Sequence, residues 1–277
     1  MTERQLHQAA IDYVETSPAN RVPQAKALRP ALAGMKMYDP PIMGIASAQD
    51  EYLINLQNIP AARINQPPPQ FWLEPAKSVV SFFLPFTEQV RKSNRQEKRD
   101  VPSQELMHAR NEGQAFILGL CAHLKELLEE AGYAAVVPAT DPRFWSAAAK
   151  PVHDQTFTSN WSERHVAYAC GVGTFALHRG IITRLGTAGR FASIITDLLL
   201  PPTPRPYSDL EEYCDQCGIC AEKCPANAIT RKEGKAHLPC REFLEGVEKD
   251  YAHLKYIGSC GKCQTGVPCE SGIPVRK

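Results

Sequence analysis

Cys214, Cys217, Cys220 and Cys224 stand in the order C-x2-C-x2-C-x3-C, and Pro225 follows. Two-residue gaps let one loop turn three thiolates onto a single iron–sulfur cube, while the fourth cysteine is carried away towards a second cube. A zinc site would ask for two C-x2-C pairs set far apart, and would leave Cys220 and Cys224 misplaced. Four more cysteines follow, at Cys240, Cys260, Cys263 and Cys269. If the fourth cysteine crosses over, one [4Fe–4S] cluster takes Cys214, Cys217, Cys220 and Cys269, and the other takes Cys224, Cys240, Cys260 and Cys263. Two cubanes are then closed with no thiol left over.

The first run is that of bacterial ferredoxins. The second half departs from it, because Cys240 is isolated and the last gap is C-x5-C. The chain has ten cysteines, and only Cys121 and Cys170 lie before the cluster-forming set. Cys121 sits on an apolar helical stripe and Cys170 in a glycine-rich turn; both read as small buried hydrophobes.

The elements that must hold these thiols are ordinary for a globular chain. Of 277 residues 43% are hydrophobic and 22% charged, which argues against wholesale disorder. Lys plus Arg is 31 and Asp plus Glu is 30, a formal net charge of +1 that gives no support to bulk nucleic-acid binding. No apolar run is long enough for a membrane span. MTERQLHQAAIDYVE has no apolar core behind a basic start, so a cytoplasmic setting is expected, where thiols stay reduced and clustered cysteine means metal.

Thr2 to Glu15 reads as a capped helix, and Asn111 to Ala131 as a longer one ended by Gly132. Ile42–Ala46, Ser78–Leu84, Ala134–Val137, Ile181–Thr183 and Phe191–Thr196 read as strands. Arg91 to Arg99 holds five cations and one anion and reads as a solvated loop. A lid or a docking patch for an acidic partner is the sharper reading. Pro201 to Pro206 is a stiff extended linker. The expected division is therefore an α+β or α/β domain over 1–205 and a ferredoxin-like domain over 206–277.

The stretch CGVGTFALHRGIITRLGTAGRFASIITDLLL, then the Pro-rich linker, then CDQCGICAEKCPANAI, resembles epoxyqueuosine reductases and reductive dehalogenases. Those proteins carry an A-G-L-G turn, a strand ending in T-D-L-P-L and two [4Fe–4S] clusters. Here the turn is Cys170-Gly171-Val172-Gly173 and the strand ends in Thr196-Asp197-Leu198-Leu199-Leu200. The resemblance implies a nitroreductase-like domain holding cobalamin, with electrons passed from the near cluster to cobalt. It implies a corrinoid against Gly171 and Gly173, with Trp161, Arg164 and Arg190 as lesser candidates for contact. Asp154, near the family's general-acid position, and His165 are the candidate catalytic residues. His178 and Tyr168 read first as packing residues.

Epoxyqueuosine reductases continue into C-terminal helical repeats and respiratory reductive dehalogenases carry a twin-arginine signal; neither is expected of this chain. A shortened relative is expected, with a small-molecule or corrinoid-protein substrate rather than transfer RNA. The expected electron donor is reduced ferredoxin or flavodoxin. The alternative is an electron-transfer or corrinoid-reducing accessory protein with no substrate of its own.

Overall fold

The computed structural model describes residues 1–58, 66–147 and 158–275. In chain order the elements are α1 (Glu3–Thr16), β1 (Ile42–Ser47), α2 (Glu51–Asn55), α3 (Pro69–Trp72), β2 (Ser78–Pro85), α4 (Glu88–Gln96), α5 (Gln104–Glu130) and β3 (Ala135–Val136). Then come α6 (Glu163–Ala169), β4 (Gly173–Phe175), β5 (Ile181–Thr183), β6 (Gly189–Thr196), α7 (Ile219–Glu222), β7 (Ile229–Thr230), β8 (Gly234–Lys235) and α8 (His237–Asp250).

Four strands form an antiparallel sheet in the order β1-β2-β6-β3. The fold is therefore mixed α and β on an antiparallel frame. All eight residues of the central β2 are buried, as a strand covered on both faces requires. Its side chains alternate. Val80, Phe82 and Leu84 join a core with Phe116, Ile117, Leu120 and Leu124 of α5, together with Leu6, Ala10 and Val14 of α1. Val79 and Phe83 point the other way, into a second core with Trp161 and Val166. In α1, Thr2 closes a capping box with Gln5, and the apolar residues recur every four positions.

Two elements differ from the sequence reading. The cationic run is not a loop: α4 spans most of it, and Thr87 caps it by accepting the Val90 N–H. Asn94 is fully buried there, and its amide donates to the Cys260 carbonyl and to Thr265. Buried polar pairing, invisible to hydrophobic periodicity, holds this helix down. The long helix also starts seven residues earlier than expected, because its first turns bury polar side chains. Ser103 caps it, and Glu105, His108 and Glu112 lie inside. His108 Nδ1 meets Glu112 at 2.9 Å, and Tyr256 donates to the same carboxylate at 2.7 Å.

The chain after Pro206 is stitched to the sheet side. Thr187 N–H donates to the Cys269 carbonyl at 2.9 Å, Lys262 Nζ to the Asn94 carbonyl at 2.8 Å, and Tyr213 N–H to Thr174 Oγ1 at 2.9 Å. Arg95 pairs with Glu270, and Arg99 donates to the Cys224 carbonyl. The linker carries no helix or strand, and it is docked. Thr203 N–H donates to the Ile45 carbonyl at 2.9 Å, and its hydroxyl accepts the Ile45 N–H at 3.0 Å.

Candidate functional site

Backbone chemistry shapes the first cysteine loop. Gln216 (φ 56°) and Gly218 (φ 81°) are left-handed on either side of Cys217. The Asp215 carboxylate accepts the Cys217 N–H at 3.2 Å, a local turn typical of aspartate. Cys224 follows α7, and Cys240 lies on α8.

The thiols fall into two neighbourhoods. Burial raises Cys269 well above the ordinary thiol range, and the nearby Cys214, Cys220 and Cys217 add to it. Cys220 is pushed up to about 12, first by burial and then by Cys263, Cys214 and Cys217. Cys260 is likewise pushed up to about 12 by burial, with Cys263 and Cys240 adding. Burial raises Cys263 too; Lys235 opposes this, and Cys240 and Cys224 reinforce it. Cys214, Cys217, Cys220 and Cys269 thus neighbour one another, and Cys240, Cys260 and Cys263 form a second group; Cys263 also lies near both Cys224 and Cys220. Among the described residues no three Cys, His, Asp or Glu side chains close on a single ion.

His178 is fully buried beside the first set. Its Nδ1 accepts the Gly180 N–H at 3.1 Å, so the ring proton sits on Nε2. Nε2 lies 3.9 Å from Cys269 Sγ and presents an N–H to that sulfur. Burial, then the charge of Lys235, lowers the ring to about 3, so the imidazole is neutral. Hydrogen bonds to cluster sulfurs are one of the levers on redox potential. Lys235 itself is raised by Cys263 and Cys240 against the opposing effect of its burial.

Of the other expected site residues, Arg164 comes near His178 and Lys235; the rest are placed elsewhere. Trp161 is in the core at 5.8 Å from Trp72, edge to face, and its Nε1 donates to Ser193 Oγ at 2.8 Å. His165 Nδ1 meets the Tyr52 hydroxyl at 2.6 Å; burial, then Arg164, lowers it to about 3. Tyr168 packs against Tyr52, Phe175 and Tyr207. Arg164 donates to the Arg179 carbonyl at 2.7 Å and Arg190 to Gln114 Oε1 at 2.6 Å. Cys170 is buried with its thiol on the Val79 carbonyl, and Cys121 is buried on α5. Asp154 lies outside the described residues.

The room expected beside the two glycines is filled by protein. A Cβ at Gly173 would overlap the Ile182 carbonyl of the paired β5, and one at Gly171 would lie 3.1 Å from the Pro204 carbonyl of the linker. Glycine serves close backbone packing at both places.

Sequence reasoning missed Glu163. Its carboxyl shares a hydrogen bond with Ser193, its Oε2 is buried without a partner, and burial pushes it up to about 7, against Ser193 and Arg190. The only signal was an acidic residue beside Arg164 and His165. The folded protein holds this proton more tightly than the unfolded chain does. The resulting stabilisation is full below the ordinary glutamate range and is lost as pH rises towards 7, by roughly 3 kcal/mol. Glu163→Gln should therefore match the parent at pH 4 and be more stable by about that amount at pH 8. Chemical denaturation at both pH values measures it; equal stability at pH 8 would contradict the buried carboxyl.

Comparison with known proteins agrees with this picture. A 4Fe–4S binding domain is matched over residues 209–230. The tetrachloroethene reductive dehalogenase of Desulfitobacterium hafniense is 33% identical over 117 residues, 40% of this chain and 21% of that protein. The trichloroethene reductive dehalogenase of Dehalococcoides mccartyi (strain ATCC BAA-2266 / KCTC 15142 / 195) is 33% identical over 110 residues, 34% of this chain and 19% of that protein. The chain thus spans about a fifth of the length of these curated relatives. Among solved structures, an epoxyqueuosine reductase superposes with a TM-score of 0.53 at 17% identity, covering 98% of this chain and 67% of that one. A reductive dehalogenase, described in connection with B12-dependent dehalogenation, gives 0.51 at 16%, covering 84% and 30%. One epoxyqueuosine reductase was solved with a tRNA stem loop (TM-score 0.53, 18% identity, 98% and 67% covered), so the fold lends no weight to the expectation against transfer RNA. By its fold this chain stands with the epoxyqueuosine reductases and reductive dehalogenases, and it carries a 4Fe–4S binding domain.

Proposed function

We propose that the chain is an iron–sulfur reductase holding two [4Fe–4S] clusters, one on Cys214, Cys217, Cys220 and Cys269, the other on Cys224, Cys240, Cys260 and Cys263. What supports this is the grouping of Cys214, Cys217, Cys220 and Cys269 on one side and of Cys240, Cys260 and Cys263 on the other, with Cys224 beside Cys263 and assigned to the second set by the crossover that the spacing implies. Thiols raised by burial hold their protons when no metal competes, and iron supplies the positive charge that makes eight buried thiolates tolerable. The proximity of Cys220 and Cys263 gives electrons a short route between the sets. In this reading the chain divides at 205/206, and the linker docks the cluster part onto β1.

Reduced ferredoxin or flavodoxin, as an acidic carrier, fits as the donor. A groove of about 430 Å³ beside α4 is lined by Arg95, Arg99, Lys223 and Lys262, with Glu97 and Glu222 among them. Arg99 links it directly to the Cys224 carbonyl. The Pro204 and Ile182 carbonyls lie where a Cβ of Gly171 or Gly173 would be, so a corrinoid would have to meet this turn from its other side. The second reading is an electron-transfer or corrinoid-reducing accessory protein without its own substrate.

Anaerobically purified protein should hold about eight irons and eight acid-labile sulfides. Cys217→Ser should remove one half preferentially and Cys260→Ser the other, with distinct electron paramagnetic resonance signals lost. One zinc per chain without sulfide would sink the assignment.

A further inference from the structure

His178 sits in the turn that joins β4 to β5. The Gly180 carbonyl accepts the Ala176 N–H at 2.8 Å, and the Ala176 carbonyl accepts the Arg179 N–H at 2.7 Å, so the turn is closed on itself. Arg179, left-handed at φ 63°, reaches out of it to Glu211 at 2.6 Å and to the Glu233 carbonyl at 3.0 Å. Ala176, Leu177 and Ile182 pack in one core with Cys220, Cys224 and Cys269. The hairpin precedes the linker in the chain, yet its tip is seated against the cysteine-rich part.

Two buried polar side chains meet there. The His178 ring takes the Gly180 N–H on Nδ1 at 3.1 Å and so aims its Nε2 N–H at Cys269 Sγ, 3.9 Å away and within the longer reach of a sulfur acceptor. Thr187, in the loop between β5 and β6, is fully buried, and its hydroxyl has no hydrogen-bond partner among the described residues. Its backbone is fixed beside the same thiol: the N–H donates to the Cys269 carbonyl at 2.9 Å, and the carbonyl accepts the Gln264 amide at 3.0 Å. A Cβ on Gly180 would meet the His178 ring at 2.7 Å and the Thr187 hydroxyl at 3.1 Å, so the two groups border one point. A buried hydroxyl left unpaired costs stability, which asks for an acceptor that the protein chain does not supply.

We propose that His178 and Thr187 are positioning residues for the first cluster, the imidazole donating to Cys269 Sγ and the hydroxyl to a sulfur of the same cube. This rests on the cluster reading above. Reduction adds one negative charge, which spreads over the sulfurs of the cube. N–H and O–H donors held against those sulfurs favour the reduced form and raise the potential. The four ligands of that cluster all come from beyond the linker, whereas both donors come from before it. The β4–β5 hairpin and the β5–β6 loop thus tune a cluster they do not bind. A raised first potential also gives the pair a direction: electrons entering at the α4 groove, beside Cys224, are drawn onward to the first cluster.

The test is an anaerobic redox titration of the full chain followed by electron paramagnetic resonance, with iron and sulfide analysis on the same samples. His178→Leu removes the ring donor, and Thr187→Val removes the hydroxyl at constant shape. His178→Leu should lower the potential of one cluster by about tenfold in its one-electron equilibrium, or about 59 mV. Thr187→Val should move the same cluster in the same direction by less, with the other cluster and the iron content unchanged. His178→Gln, whose amide can place an N–H where Nε2 stands, should restore most of the parental potential. A variant that fails to fold is replaced by a measurement on the parent: with nitrogen-15-labelled histidine, pulsed resonance should show a weakly coupled ring nitrogen on the reduced first cluster. Absence of that coupling, or parental potentials in iron-replete His178→Leu and Thr187→Val, would overturn the proposal. A parent chain without iron would overturn the cluster reading and this assignment with it, whereas full iron with unmoved potentials overturns this assignment alone.

Discussion

Removing iron from the anaerobic protein should melt residues 206–275 and release α4 with them, while α1, α5 and the four-stranded sheet stay folded. The small core of the cysteine-rich part is built from the proposed ligands: Cys220, Cys224 and Cys269 pack with Ile182, Ile229 and Val267. Its regular elements are brief apart from α8. Without a cluster these thiols are packed around nothing, and metal-binding free energy becomes folding free energy, on the order of 10 kcal/mol at structural metal sites. The helix α4 shares the fate of the clusters because Asn94 holds the Cys260 carbonyl and Lys262 holds the Asn94 carbonyl. Hydrogen exchange before and after chelation should show protection lost over 88–101 and 206–275 and kept over 104–130. Uniform protection afterwards, or loss of the sheet in the same step, would refute this partition.

The largest single-residue effect is expected at Gly173. A valine there would drive its Cβ into the Ile182 carbonyl and within 3.0 Å of the Ile181 side chain, so a backbone, not a flexible tip, must move. The β4–β5 pair would open, and with it the Thr174 hydroxyl that accepts the Tyr213 N–H immediately ahead of Cys214. Gly173→Val should cost more than about 4 kcal/mol and lower iron content together with stability. Gly246→Ala is the matched control: it lies in α8 with nothing near its absent Cβ, and should stabilise by about 0.5–1 kcal/mol. A folded Gly173→Val protein with parental unfolding temperature and full iron would defeat the argument.

These two glycines show where sequence reading stops. The helix after Thr2, the strand SVVSFFL and the cysteine run are legible because each is a repeated local pattern: a cap, a period, a spacing. The glycine-rich turn is legible as crowded, but the letter G does not say what crowds it. Here it is Ile182 and Pro204, which come from elsewhere in the chain. The cationic run was misread for the same reason, since Asn94 finds its partners over 160 residues later. Glu163 carries no signature at all, because its meaning comes from burial and from Ser193 and Arg190, which lie far along the chain.

The docked linker bears on how this protein behaves when crowded. As the outer strand of its sheet, β1 would otherwise offer a free row of backbone donors and acceptors to any passing chain. Thr203 occupies both groups of Ile45, and the prolines around it, Pro201, Pro202, Pro204 and Pro206, have no N–H to recruit a further strand. A segment that reads as a mere spacer thus blunts a templating edge, and shortening it should make the chain self-associate through its sheets.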